Sequence, residues 1–143
     1  MKKRRTITLA ICLALVFAFA ANALAATDSF SFRGSCTKTF ITSGTLSKGD
    51  SGTWSQFRVT PNELYYTGSP SYSYAYARPQ GPDGTLYASK KTVSLGTTTY
   101  YTPNNSGAAA SSVKVKFYNT NYELNNSSSC TLTIGGTISG TYA

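Results

Sequence analysis

The chain contains no histidine anywhere in its 143 residues. That absence excludes the Ser-His-Asp and Cys-His constellations, together with the commonest general base and the commonest zinc ligand. Carboxylates are scarce as well, with Asp28, Asp50, Glu63, Asp83 and Glu123 making up the whole set. A glycosidase needs two of them across a cleft, about 5 to 9.5 Å apart. Asp50 and Asp83 stand in Gly-rich stretches, where Asp is an ordinary turn residue. Either could add an oxygen ligand to a calcium shell, but neither has the D-x-D-x-D-G spacing of a calcium loop, so both are read as turn residues. Ser47-Lys48 and Ser89-Lys90 are adjacent pairs of the kind expected by chance in a chain so full of serine. No catalytic residue, no metal-ligand set and no cofactor is expected.

Long helical patterns are missing too. No ten-residue window repeats apolar residues at i, i+3, i+4 and i+7. The one long apolar run, Ile7 to Ala21, follows a cationic cluster (Lys2, Lys3, Arg4, Arg5) and precedes Ala23-Leu24-Ala25. A positive segment, an apolar segment and a small-x-small site in this order form a secretory signal peptide. The run is shorter than the ~20 residues of a membrane-spanning helix. Residues 1–25 are therefore expected to be a signal-peptide helix that is removed on export, with no anchor left behind. Residues 26–143 are expected to be one domain, since 118 residues suffice for one and not for two.

Subtracting the leader changes the balance of the chain. Four of the 13 basic residues leave with it, so nine face five carboxylates and the net charge falls from +8 to +4. These cations are scattered, which argues against nucleic acid as a partner. Cys12 also leaves, so Cys36 and Cys130 remain as an even pair. In an oxidising compartment such a pair is read as a disulfide. Its loop spans 94 positions, and the chain-entropy model sets its contribution at about 4.7 kcal/mol at most.

What the chain has in abundance is Ser, Thr, Tyr, Gly and Asn, a composition that favours strands and turns. Ser112 to Tyr118 alternates, with Val113, Val115 and Phe117 on one face and Lys114, Lys116 and Tyr118 on the other. Gln56 to Thr60 sets Phe57 and Val59 against Gln56 and Arg58. Tyr72 to Arg78 sets Tyr72, Tyr74 and Tyr76 against Ser73, Ala75 and Ala77. Cys130, Leu132 and Ile134 share a face late in the chain, and Cys36 shares one with Phe40 early in it. Gly81-Pro82-Asp83-Gly84, residues 48–52 and residues 103–107 read as turns or loops. Gly135-Gly136 reads as a bulge or bend within the last strand. About seven or eight short strands at this spacing imply an all-β fold, an antiparallel β-sandwich with the disulfide joining inner faces.

The segments Gly52-Thr53-Trp54, Phe117-Tyr118-Asn119-Thr120-Asn121 and Ile138-Ser139-Gly140-Thr141-Tyr142 carry a resemblance. In them the chain looks like small secreted β-proteins of Gram-positive bacteria, and its terminal Gly-Thr-aromatic stretch is similar to that of lactococcin 972-like bacteriocins. The resemblance implies export and supplies no catalytic residues to carry over.

Eleven tyrosines and Trp54 are the unusual feature. Tyr72, Tyr74 and Tyr76 would project from one strand face at intervals of about 6.6 Å. Such a strip is able to stack on sugar rings or meet a protein partner. Tyr65-Tyr66 and Tyr100-Tyr101 would border it, and Arg58, Arg78, Lys114 and Lys116 would add donors for anionic polymers. The alternative is that the tyrosine face is the packed one, because Ala75 and Ala77 are small for a core. Trp54 is read as core. The expectation is a non-enzymatic exported module whose site is Tyr72, Tyr74, Tyr76 and Arg78, with a glycan or cell-wall polymer, or a surface protein, as partner. On that reading the three rings are exposed and coplanar. Its rivals are a bacteriocin-like antagonist and a structural surface or matrix component.

Overall fold

The computed structural model describes residues 26–49 and 52–142. The signal-peptide expectation and Asp50 lie outside the described residues. Among the described residues nine strands form in chain order: β1 (Ala26–Cys36), β2 (Thr39–Ile41), β3 (Leu46–Ser47), β4 (Trp54–Gly68), β5 (Tyr74–Gln80), β6 (Lys91–Ser94), β7 (Thr99–Tyr101), β8 (Ser112–Tyr118) and β9 (Cys130–Tyr142). Two short helices, α1 (Asn105–Ala109) and α2 (Thr120–Asn125), flank β8. All strand pairings are antiparallel. One sheet runs β1-β9-β4-β7, and the other runs β2-β8-β5-β6 with β3 also on β8. The fold is all-β, two antiparallel sheets packed face to face as a sandwich.

Alternation in β8 appears as the sequence implies, with Val113, Val115 and Phe117 buried and Lys114, Lys116 and Tyr118 half-buried on the outside. Phe57 and Val59 of β4 are fully buried from the opposite sheet. Between them Phe117 stacks on Phe32, ring centroids 4.7 Å apart, and on Phe40 at 6.1 Å. Trp54 closes one end of the core, its Nε1 donating to the Ala110 carbonyl at 2.8 Å and its ring packed edge-on against Tyr142. Trp54 is thus core, as expected.

Two strands are far longer than the short runs expected, at 15 and 13 residues. β4 continues through Pro61 because the register shifts between Pro61 and Glu63, which leaves Asn62 unpaired. Pro61 and Glu63 lie opposite Gly136 and Gly135. A side chain at Gly136 would collide with the Thr60 carbonyl oxygen and lie 2.8 Å from Pro61 Cα. The glycine pair therefore marks a bulge, as the sequence suggests, but the extra residue is in the partner strand.

Two further expectations are corrected. Cys36 and Phe40 do not share a strand: the chain crosses from one sheet to the other at residues 37–38, so Cys36 ends β1 and Phe40 sits in β2. Both are partly buried against the same core. The edge of β8 is covered in two pieces, β2 and β3, and Thr42 bridges the gap. Its backbone N–H donates to the Val115 carbonyl, and its Oγ1 accepts from the Val115 N–H. Residues 103–107 also hold more than a loop, since Asn104 caps α1 by accepting from the Gly107 N–H at 2.8 Å.

Candidate functional site

β5 has one face inside and one outside. Ala75 and Ala77 are fully buried, whereas Tyr74, Tyr76 and Arg78 are half-exposed. The small residues are inside because the ring of Tyr101 comes across from the opposite sheet and its hydroxyl donates to the Ala77 carbonyl at 3.2 Å. Tyr101 is fully buried, and burial pushes its hydroxyl pKa well above the usual tyrosine range. The packed aromatic is therefore Tyr101, and the Tyr74/Tyr76 face is the outer one.

The outer rings are not coplanar. Tyr66, Tyr72, Tyr74 and Tyr76 form a ladder with successive centroids 5.5, 6.0 and 5.7 Å apart and successive planes at 65°, 73° and 86°. Edge-to-face contact is the preferred geometry for rings at this spacing, so strand periodicity alone does not make a flat strip. Tyr72 precedes β5, and its hydroxyl accepts from the Asn125 amide of α2 at 2.9 Å. Tyr66 reaches the ladder from the other sheet. Its hydroxyl donates to the Tyr74 carbonyl at 2.9 Å and accepts from the Thr120 N–H. Burial raises its pKa. Thr120 Oγ1 also donates to the Tyr74 carbonyl. The ladder is thus held by α2, a helix too short to leave a periodic signal in the sequence.

Beside the ladder the face continues onto β8. Tyr76 lies opposite Tyr118, and Arg78 opposite Lys116. Lys90 Nζ lies over the rings of both Tyr76 and Tyr118, 5.5 and 4.9 Å from their centroids, and Lys116 lies over Tyr118 at 5.3 Å. Lys90 also pairs with Glu123 of α2. Each exposed cation–ring contact is worth about 0.5–1 kcal/mol, enough to fix ring orientation. Tyr66, expected at the border, is part of the ladder itself, whereas Lys90, Tyr118 and Glu123 are members that the strand pattern did not assemble. Only Tyr118 left a signal, on the outward side of the β8 alternation.

The remaining border residues are distributed differently from expectation. Tyr65 and Tyr100 are exposed on the opposite sheet, where Arg58 lies over the Tyr100 ring. Tyr101 is core. Of the four cations named from the sequence, Arg78, Lys114 and Lys116 share the ladder's sheet and Arg58 does not.

The described carboxylates each have a local partner. Glu63 makes a bidentate pair with Arg33 at 2.7 and 3.1 Å, which lowers its pKa. Asp83 accepts from the Thr85 backbone N–H and hydroxyl, at 3.0 and 2.8 Å, and these bonds hold its carboxyl below the usual range. Gly84, at φ +88°, completes that turn. Asp28 accepts from the Ser29 N–H. Among the described residues no three His, Cys, Asp or Glu side chains come together.

The expected Cys36–Cys130 bridge is not formed, and both thiols are free. Their positions are nonetheless adjacent. Cys36 pairs with Leu132, two residues from Cys130, so the cysteines are diagonal neighbours on the inner face of β1 and β9. Diagonal positions are about 7–8 Å apart, against the 4.4–6.8 Å between the Cα atoms of a disulfide. In this arrangement the Cys130 thiol donates to Asn119 Oδ1 at 3.7 Å instead. Burial pushes the Cys36 thiol up to about 11, which opposes a thiolate nucleophile at neutral pH.

No family model, curated protein or solved structure matches this chain. The resemblance to lactococcin 972-like proteins therefore rests on its residues alone.

Proposed function

We propose that the chain is an exported, non-catalytic binding module, and that the outer face of the β8–β5 sheet binds a glycan or cell-envelope polymer. One observation carries this reading. The half-exposed ladder Tyr72-Tyr74-Tyr76 stands beside Tyr118 and the cations Lys90, Arg78, Lys114 and Lys116, with Glu123 as the carboxylate against them. Half-exposed rings offer apolar area to sugar faces, hydroxyls at their rim and donors alongside, the composition of a wet recognition surface. Their edge-to-face packing suits a contoured ligand better than a flat one. The rings contact one another and Lys90 rather than the core, so their removal should affect binding more than folding. Replacing Tyr74 and Tyr76 together by alanine is expected to abolish retention on insoluble peptidoglycan while shifting the melting temperature by only a few degrees. Failure of the wild type to be retained on any envelope polymer or insoluble glycan would contradict the reading.

Export through the residues 1–25 leader and closure of Cys36 to Cys130 belong to the same proposal. Closure requires the ends of β1 and β9 to approach by about 1–2 Å and gives up the Cys130–Asn119 contact. The secreted protein is expected to show no titratable thiol before denaturation or after it. Reduction is expected to lower stability by about 2–4 kcal/mol. Two thiols titrating in the denatured, unreduced protein would refute the bridge.

A further inference from the structure

Where β5 meets residues 86–89 and 102–104, the surface opens into a cavity of about 320 Å³, at the lower end of the range for small-molecule sites. Arg78 contributes to its wall. The Arg78 Nε is buried and has no hydrogen-bond partner, alone in this among the buried side-chain nitrogens and oxygens of the described residues. A guanidinium N–H removed from water and left unpaired is destabilising, and native proteins rarely leave one so without a reason. Among the described residues no carboxylate answers it. Its cross-strand neighbour is Lys116, a like charge, while Glu63 is engaged by Arg33 and Glu123 by Lys90. The Asn104 side chain is also committed, donating to the Leu86 carbonyl and accepting from the Gly107 N–H.

We propose that this cavity binds the carboxylate of an acidic sugar unit, with Arg78 as its charge partner. A carboxylate supplies two acceptor oxygens, which a guanidinium meets in a bidentate fork. Leu86, Ala88 and Pro103 give the cavity an apolar side, and Ser89 and Thr102 give it hydroxyls, the mixture a sugar ring with its hydroxyl groups requires. One guanidinium matches a monoanion better than a phosphate dianion. Arg78 is two residues beyond Tyr76 on the same face, about 6.6 Å along the strand. A polymer lying along the ladder would therefore deliver its next unit to the cavity. In naming the ligand class the proposal rests on the glycan-binding reading of the tyrosine face, but it can be tested apart from it.

The test is a titration of the isotope-labelled secreted protein with D-galacturonate, methyl galactopyranoside and glycerol phosphate, followed by NMR and calorimetry. Galacturonate is expected to bind saturably, to shift the resonances of Arg78, Ser89 and Thr102, and to weaken as salt is raised. The neutral sugar and glycerol phosphate are expected to bind at least about tenfold more weakly, and Arg78→Gln to weaken galacturonate by about tenfold or more. Arg78→Lys, which keeps the charge and loses the fork, should fall between. Absence of a saturable response, tighter binding of glycerol phosphate, or galacturonate binding unchanged in Arg78→Gln would overturn the proposal. Should Arg78→Gln fail to fold, the shift map of the wild type decides, because perturbations confined to surfaces away from the cavity also overturn it. Retention on a neutral insoluble glycan reports separately on the ladder. Its loss in Tyr74→Ala/Tyr76→Ala with galacturonate binding intact supports both sites, and its absence in the wild type removes the ladder reading alone.

Discussion

Replacing Phe117 by alanine is expected to lower the stability of the domain by about 3–5 kcal/mol. Phe117 is fully buried in the middle of β8, and its ring stacks on Phe32 from the opposite sheet and Phe40 from its own. Truncation removes the transfer free energy of the ring and leaves a cavity bounded by two other rings, which a β-sheet backbone cannot readily close. Domains have only about 5–15 kcal/mol in total, so the expected loss is a large share of it, a fall in melting temperature of roughly 10–20 °C. Phe40→Ala serves as the comparison. Phe40 is half-buried at the rim of the same stack, and its truncation is expected to cost less than half as much. Denaturant titration of both variants measures the difference. Equal losses would mean that Phe117 is not the central contact between the sheets.

The second large effect is expected at Asn119, a fully buried polar residue joining three elements. Its amide nitrogen donates to the carbonyls of Cys36 and Cys130, at 3.1 and 2.9 Å, which ties the end of β1 to the start of β9. Its side-chain oxygen accepts from the Asn121 N–H at 3.0 Å and so caps α2. Asn119→Ala strands these carbonyls and removes the cap. Each unsatisfied buried group costs about 1–3 kcal/mol and the cap about 1 kcal/mol, so a non-additive total of about 3–5 kcal/mol is expected. The loss has a functional arm too. α2 carries Glu123, the partner of Lys90, and Asn125, the donor to Tyr72. Amide exchange in α2 should therefore accelerate more than in β4 or β9. A uniform loss of protection would assign Asn119 to global stability alone.

The sequence reading and the structure agree where strand periodicity is the physical determinant. Val113, Val115 and Phe117 alternate with Lys114, Lys116 and Tyr118, and the sheet buries the first set and wets the second. The same holds for Phe57 and Val59, and Gly81 to Gly84 turns as its residues dictate, with the Gly84 N–H donating to the Gly81 carbonyl. Periodicity could not decide which face of β5 is inside, because that depends on Tyr101 arriving from the other sheet to fill the space above Ala77. Nor could it foresee that β4 runs on through Pro61, since the shift that permits this depends on Gly136 lying opposite. Half of the candidate face was legible as one run of alternating residues, of which Tyr74, Tyr76 and Arg78 lie in β5 and Tyr72 just before it. Its other half is non-local. Tyr118 meets Tyr76 across the β5–β8 pair, Lys90 reaches its ring from the segment before β6, and Tyr66 comes from the other sheet. The coplanar strip failed for a simpler reason: rings about 6 Å apart along a strand pack edge to face, and spacing alone does not specify their tilt.

Binding at the outer face of the β8–β5 sheet is open to a paired retention assay. Tyr74→Ala/Tyr76→Ala is compared with Tyr65→Ala/Tyr100→Ala on insoluble peptidoglycan. Tyr65 and Tyr100 are 48% and 53% exposed on the opposite sheet and lie outside the ladder. The first variant is expected to pass through unretained and the second to be held as well as the wild type. Equal retention of the two variants, or loss confined to the second, would contradict binding at this face.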